Sequence, residues 1–421
     1  MQPDGTERRL RVVHFSTADN EGGSGRSAYR IHRALRSGGH ASRMLVGYRI
    51  TDDPDVDTVS GGRALKFADR MADRLTRKLG YQYACVPSAW RVRRHRWLKA
   101  PDIVQLYNLH GGYFSPRLLP WLSRRAPLVW RLSDMWAATG HCAYSGACER
   151  WRTGCGACPD LATYPGIAID RTASLWRMKQ RLYANLRMTI VVPSSWAGRI
   201  ARESPLLGRF PIVRIPNGLD TALFRPQDRR AARRRLGIPE TGTAILFSSN
   251  VVHNNPRKGS DMLQQALRRL GPRDDAMLLV AGVGAEHWPG TVPQRVVPLG
   301  YLTDDRAIAA SYTAADFVVV PSAVENLPNT VLEAMACGRP SIAFDSGGMA
   351  DAVQHGKTGL LIAPGDEATL ASAIATLLDD AGLRQRLGES SLALVTREFT
   401  AEVQLRRFET LYRDILAAPA A

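Results

Sequence analysis

The chain has 421 residues, 45% of them hydrophobic and 23% charged, which excludes a disordered chain and suffices for two domains with separate cores. No apolar run approaches the roughly 20 residues of a bilayer span. The polar start Met1-Gln2-Pro3-Asp4-Gly5 leads into a strand pattern without a signal-peptide core, so cytoplasmic residence is the expectation. Lys and Arg number 56 against 39 Asp and Glu, a net charge of +17 that points to phosphate among the partners.

Short apolar runs followed by turns and 3.6-period helical stretches recur along the chain and predict α/β architecture with parallel sheets. The first series comprises residues 12–15, 42–46, 103–106, 128–130 and 189–192, and the second residues 244–247, 277–280, 317–320, 341–344 and 359–362. Two doubly wound, Rossmann-like domains facing a cleft are therefore expected. Their expected spans are 1–212 and 213–395, with a last helix at 396–421 returning to the first domain. Ligands of such sheets bind beyond the carboxyl ends of the strands, so the loops at those ends are where chemistry is sought.

In chain order, the first such loop is Glu21-Gly22-Gly23-Ser24-Gly25-Arg26, whose glycines let backbone approach a phosphate or simply make a tight turn. Asp53-Pro54-Asp55-Val56-Asp57 contains a D-x-D but reads as a solvated acidic turn. Residues 63–99 hold eleven Lys and Arg against Asp69 and Asp73. Leu65, Ala68, Met71, Ala72, Leu75 and Leu79 are expected to form an apolar stripe beneath the first of them, making a basic amphipathic helix that is either a solvated face or a peripheral contact with anionic membrane. His110 ends the 103–106 strand pattern.

Cys142, Cys148, Cys155 and Cys158 are spaced C-x5-C-x6-C-x2-C. Three fates are open: a structural Zn²⁺ with four thiolate ligands and no open position, free buried thiols, or disulfides.

In the second half, Pro321-Ser322-Ala323-Val324-Glu325-Asn326-Leu327-Pro328-Asn329 joins a buried strand to the helical Thr330–Cys337, which stops at Gly338 and Pro340. The amides of that helix start, backed by its dipole, suit a diphosphate. Glu333, a turn into the helix, either accepts from the hydroxyls of a ribose or closes a capping box with Thr330.

This segment, together with Ile215-Pro216-Asn217-Gly218-Leu219-Asp220, Arg257-Lys258-Gly259, Leu299-Gly300-Tyr301-Leu302, Ala314-Ala315-Asp316 and Gly347-Gly348, strongly resembles the family-4 retaining glycosyltransferases of GT-B type, including members of polysaccharide and natural-product biosynthesis. Glu325 and Glu333 match the family's E-x7-E signature. The resemblance implies Glu325 on the donor hexose, Glu333 on the ribose, and Lys258 with Arg257 on the diphosphate. Asn326 and Leu327 amides, Asn329, Thr330 and Asn250 would also lie at the donor, with Leu302 presenting its backbone to the base. An arginine usual just after the first strand of this domain is replaced by Ser248-Ser249-Asn250.

In the first half the resemblance implies Gly22 and Gly23 at the donor diphosphate and His110 at the donor sugar. Asp134 matches a His-Asp element in which serine replaces histidine. Catalysis is then expected from Glu325, His110 and Lys258 without a metal or other cofactor, the NDP-sugar being co-substrate. The acceptor is a lipid-linked glycan or a soluble small molecule such as an aminocyclitol glycoside. The alternatives are a GT-B epimerase or phosphorylase and a basic nucleic-acid-binding protein. The arginines compose no recognised nucleic-acid module, so no nucleic-acid partner is expected.

Overall fold

The computed structural model describes residues 8–418. The chain divides into two units, one reaching Ile215 and resuming at Gln404, the other Pro216–Val403.

The first unit is built on a seven-stranded sheet of β1 (Arg11–Ala18), β2 (Ala41–Tyr48), β3 (Val56–Thr58), β4 (Ile103–Leu106), β5 (Leu128–Arg131), β6 (Met188–Val192) and β7 (Ile212–Arg214). Their order is β3-β2-β1-β4-β5-β6-β7, every pair parallel. One face packs Phe15, Leu106, Trp130 and Ile190 into a large apolar cluster. The other packs Val12, Val46, Tyr107 and Val129 against Phe408, Leu411 and Tyr412 of the helix Ala401–Ala417. The Tyr412 hydroxyl donates to Oε1 of Gln105 on β4 at 2.9 Å, which gives the buried hydroxyl an acceptor inside that core.

The second unit repeats the plan with β8 (Thr243–Val251), β9 (Ala276–Val283), β10 (Arg295–Gly300), β11 (Phe317–Val320), β12 (Ser341–Phe344) and β13 (Gly359–Ile362). The order is β10-β9-β8-β11-β12-β13, again parallel throughout. The central strands are buried on both faces, which is why they are unbroken apolar runs rather than alternating ones. Arg233, fully buried, donates to Asp316 at 2.8 Å and to three carbonyls in the turn before β8, so its charge is matched where it lies.

Each sheet reverses its winding once, between β1 and β4 and between β8 and β11. At such a switch point the chain continues to opposite faces of the sheet from the two neighbouring strands, and ligands bind beyond their carboxyl ends. Among the described residues no helix is long and apolar enough to cross a membrane.

Candidate functional site

In the second unit the loops leaving β8 and β11 meet. β8 ends in the 3₁₀ turn Pro256–Lys258, and β11 runs into the 321–328 loop and the helix Asn329–Ala336. Oε1 of Glu325 accepts from Lys258 Nζ at 2.5 Å and from Arg257 Nη1 at 3.0 Å. The carboxylate is nearly buried, with 10% of its side chain exposed, while Lys258 keeps 21% and Arg257 40%. Two cations thus share one carboxylate at the rim of the switch point, and both are open enough to reach an anion.

Two glycines hold this loop by letting backbones approach. Gly259 has φ +73° and Gly347 φ +63°. A Cβ would fall 1.8 Å from the Pro321 carbonyl oxygen at the first and 1.8 Å from that of Glu325 at the second. The Ala323 amide donates to the Arg257 carbonyl at 2.9 Å and the Gly348 amide to that of Glu325 at 2.8 Å. The glycines of Arg257-Lys258-Gly259 and Gly347-Gly348 therefore serve the Glu325 loop through its backbone.

Glu333 is buried and accepts from the Tyr312 hydroxyl at 3.0 Å. Burial, then the adjacent Glu333 charge, push the Tyr312 phenol well above its ordinary pKa, so it remains a donor. The capping box does not form: the helix starts at Asn329 with Pro328 as N-cap, which puts Thr330 inside the first turn. Asn217 donates to the Leu327 carbonyl and to Oδ1 of Asn329, both at 2.9 Å, tying the turn that opens this unit to the helix start. Asn326 is buried, and Leu327 packs into the core. Asn250 is exposed near the end of β8, beside a register shift against β9. Leu302 is half-buried against the core beyond β10.

In the first unit the β1 and β4 loops carry the candidates. Gly22 opens the helix Gly22–Ser37 at φ +62°, and a Cβ on Gly22 or Gly23 would meet nothing within 4 Å. Open space therefore faces this helix start. His110, 4% exposed, lies with Nε2 2.8 Å from Asp134 Oδ2 and Nδ1 3.3 Å from the Tyr164 hydroxyl. The Trp136 amide donates to the other Asp134 oxygen at 2.9 Å. Ser24 and Ser133 hydroxyls lie 2.9 Å apart, so the glycine loop and the segment before Asp134 touch. Asp53 and Asp55 pair with Arg36 and Arg43, and Asp57 with His95; this accounts for the D-x-D by local ion pairs.

Cys142, Cys148, Cys155 and Cys158 are free thiols around a cavity of about 20 Å³ that His141 also lines. The Gly140 amide donates to Cys155 Sγ at 3.2 Å, and His141 Nε2 is 3.3 Å from Cys158 Sγ. Burial pushes the Cys142 thiol up to about 11. Four sulfurs suit zinc by type, but among the described residues no three ligand-type groups are placed to hold an ion.

Of the expected apolar stripe, Met71, Leu75 and Leu79 are exposed, and Phe67 lies outward with them. The buried position of the helix Arg63–Lys78 is Asp69, which accepts from the Ser88 amide at 2.9 Å.

Residues 242–380 match the family model described as glycosyl transferases group 1. A D-inositol 3-phosphate glycosyltransferase of Acidothermus cellulolyticus is 34% identical over 221 residues, 48% of each chain; this chain spans about half the length of that relative. The putative colanic acid biosynthesis glycosyl transferase WcaC of Escherichia coli is 26% identical over 83% of this chain and 87% of its own. Among solved structures, Anabaena HepE in complex with UDP and glucose superposes with a TM-score of 0.66 at 17% identity, over 96% of this chain and all of that one. The two parallel-sheet units are those of the GT-B fold.

Proposed function

Because residues 242–380 form a glycosyl transferases group 1 domain, we propose that the chain is a retaining, metal-independent glycosyltransferase. It moves a hexose or N-acetylhexosamine from an NDP-sugar, UDP-linked, to an acceptor hydroxyl. The observation that carries this is the Lys258–Glu325–Arg257 cluster at the β8/β11 switch point. The similar proteins, an inositol phosphate glycosyltransferase, a colanic acid biosynthesis glycosyl transferase and a protein solved with UDP and glucose, support a sugar nucleotide and a glycan or small-molecule acceptor.

In this reading Lys258 and Arg257 move from Glu325 to the diphosphate, each charge-assisted contact contributing about 1.5–3 kcal/mol. Glu325, released, takes the sugar hydroxyls, and Glu333, oriented by Tyr312, takes the ribose. Asn326, Leu327, Asn329 and Thr330 offer backbone and side-chain donors around the helix start, with Asn250 beside them and Leu302 at the base. The bond from the anomeric carbon to the diphosphate oxygen breaks and one to the acceptor oxygen forms on the same face. The acceptor proton passes to the departing diphosphate, so protein groups act by placement and by stabilising the leaving charge. In the first unit Gly22 and Gly23 are assigned to phosphate and His110, held by Asp134, to the sugar.

The test is incubation of the full chain with a panel of sugar nucleotides and candidate acceptors, with and without chelator and inorganic phosphate. Nucleotide diphosphate release and a product of retained anomeric configuration by NMR are expected. An inverted product, a chelator-dependent reaction or a sugar phosphate as product overturns the assignment.

A further inference from the structure

The helix Arg63–Lys78 is turned the opposite way from an ordinary amphipathic surface helix. Its large apolar side chains face out, with Phe67 66% exposed, Met71 46% and Leu75 60%, followed by Leu79 at 51%. Positions four apart share one helix face, so these four make a continuous apolar stripe that stays exposed among the described residues.

Its cations line a cavity instead. A space of about 210 Å³ is bordered by Lys66, Arg70, Arg74 and Arg77, with Asp69 and Asp73 between them, and its far wall includes Gly111 and Gly112, directly after His110. Asp69 accepts from the Ser88 amide, and Asp73 pairs through Oδ2 with Arg77 at 3.0 Å while its Oδ1 is buried without a hydrogen-bond partner. Lys66 lies over the Tyr48 ring. Among the described residues no hydrogen bond or ion pair engages Arg70 or Arg74, one helical turn apart at the cavity's edge. A pair of uncommitted guanidiniums over a cavity of several water volumes suits the oxygens of a phosphate. An apolar stripe on the same helix suits the boundary between lipid headgroups and acyl chains, and the basic residues beside it suit an anionic surface.

We propose that this cavity holds a phosphate group of the acceptor, and that the acceptor is carried by a lipid into whose bilayer surface the Phe67–Leu79 stripe seats. This rests on the glycosyltransferase reading only for the word acceptor. The binding itself requires no transfer reaction and can be measured without one.

The test uses the full chain and three vesicle compositions: phosphatidylcholine alone, phosphatidylcholine doped with a long-chain alkyl phosphate, and phosphatidylcholine doped with phosphatidylglycerol. Co-sedimentation is measured for the wild type, Arg70→Ala/Arg74→Ala and Leu75→Asp, and binding of a soluble short-chain alkyl phosphate is titrated in parallel. UDP binding is followed by thermal shift in every sample as a separate check on the donor assignment and on folding.

The wild type is expected to prefer the alkyl phosphate vesicles over both others. Arg70→Ala/Arg74→Ala should weaken both vesicle and soluble phosphate binding by about tenfold or more, as loss of charge-assisted contacts predicts. Leu75→Asp should weaken vesicle binding alone. Equal binding to the two anionic compositions overturns the cavity assignment, and soluble phosphate binding without vesicle binding overturns the lipid. Unchanged binding by the double variant overturns both. Loss of UDP binding in the wild type would instead strike the donor reading and leave this result standing.

Discussion

Lys258 and Glu325 form an ion pair at 2.5 Å, although the proposed function gives each to a different part of the same donor. In the proposed reading each holds the other in place until a diphosphate competes for the cation. Glu325→Gln is therefore expected to lower transfer strongly, by about a hundredfold or more as loss of a group that binds in the transition state implies. It should leave UDP affinity unchanged or improved, because Lys258 is freed. Lys258→Ala should weaken UDP by about tenfold or more. Titration calorimetry with UDP beside turnover assays separates the two; a parallel loss of UDP binding in both variants would contradict the exchange.

Gly347→Ala and Gly259→Ala are expected to be far worse than their size suggests. Each places a methyl 1.8 Å from a carbonyl oxygen in a left-handed backbone, so the loop must shift as well as absorb about 1 kcal/mol of conformational penalty. Gly290→Ala, also left-handed at φ +78° but with nothing within 4 Å, supplies the conformational penalty alone. Urea unfolding should show the first two less stable than Gly290→Ala, with transfer lost together with the Glu325 position.

For the four cysteines three fates stand open, and elemental analysis of protein purified without chelator separates them first: a structural zinc would give about one equivalent per chain. Replacing it with Co²⁺ should give the intense visible bands of a tetrahedral thiolate site. Cys155→Ser should lose the metal and retain UDP binding in the other unit. Four thiols titrating freely in native, metal-free protein would favour unliganded cysteines, and a mass loss of two protons per pair would favour disulfides.

Two buried histidines predict acid sensitivity. His14 Nε2 and His32 Nδ1 both contact the Ser42 hydroxyl, at 2.8 and 2.7 Å. Burial holds His14 well below 6.5 and, chiefly by the same cause, lowers His32 to about 4. A base whose folded pKa lies below its unfolded one contributes stability that is present above the unfolded value and lost as pH falls through the folded one. Between about pH 6.5 and 4 the His32 contribution falls by about 3 kcal/mol. Thermal melts across that window should show the loss, and His32→Asn should lessen it, leaving the part that belongs to His14.

The double-wound plan could be read from the sequence because its central strands are buried on both faces and appear as unbroken apolar runs. The edge strands β3, β7 and β10 escaped, since Asp57, Arg214 and Pro298 interrupt them and one side meets solvent. The Glu325 loop was legible as strand, loop and helix start. Partners from distant segments were not: Tyr312 on Glu333, Asn217 on Asn329 and, in the first unit, Asp134 on His110, although Asn217 and Asp134 each stood in a motif that carried a signal and Tyr312 did not. The 63–78 helix shows a different gap. Period fixes which residues share a face, but the environment of that face depends on what the rest of the unit leaves uncovered.

Phe408, Leu411 and Tyr412 complete the core behind β1 and β4, although nearly two hundred intervening residues make up the second unit. A ribosome releases the first sheet long before it releases the helix that closes it. The N-terminal unit must then wait, with Val12, Tyr107 and Val129 lacking their cover, while the C-terminal unit is made and is free to fold on its own. Premature termination before residue 404 would therefore injure the part of the protein made first.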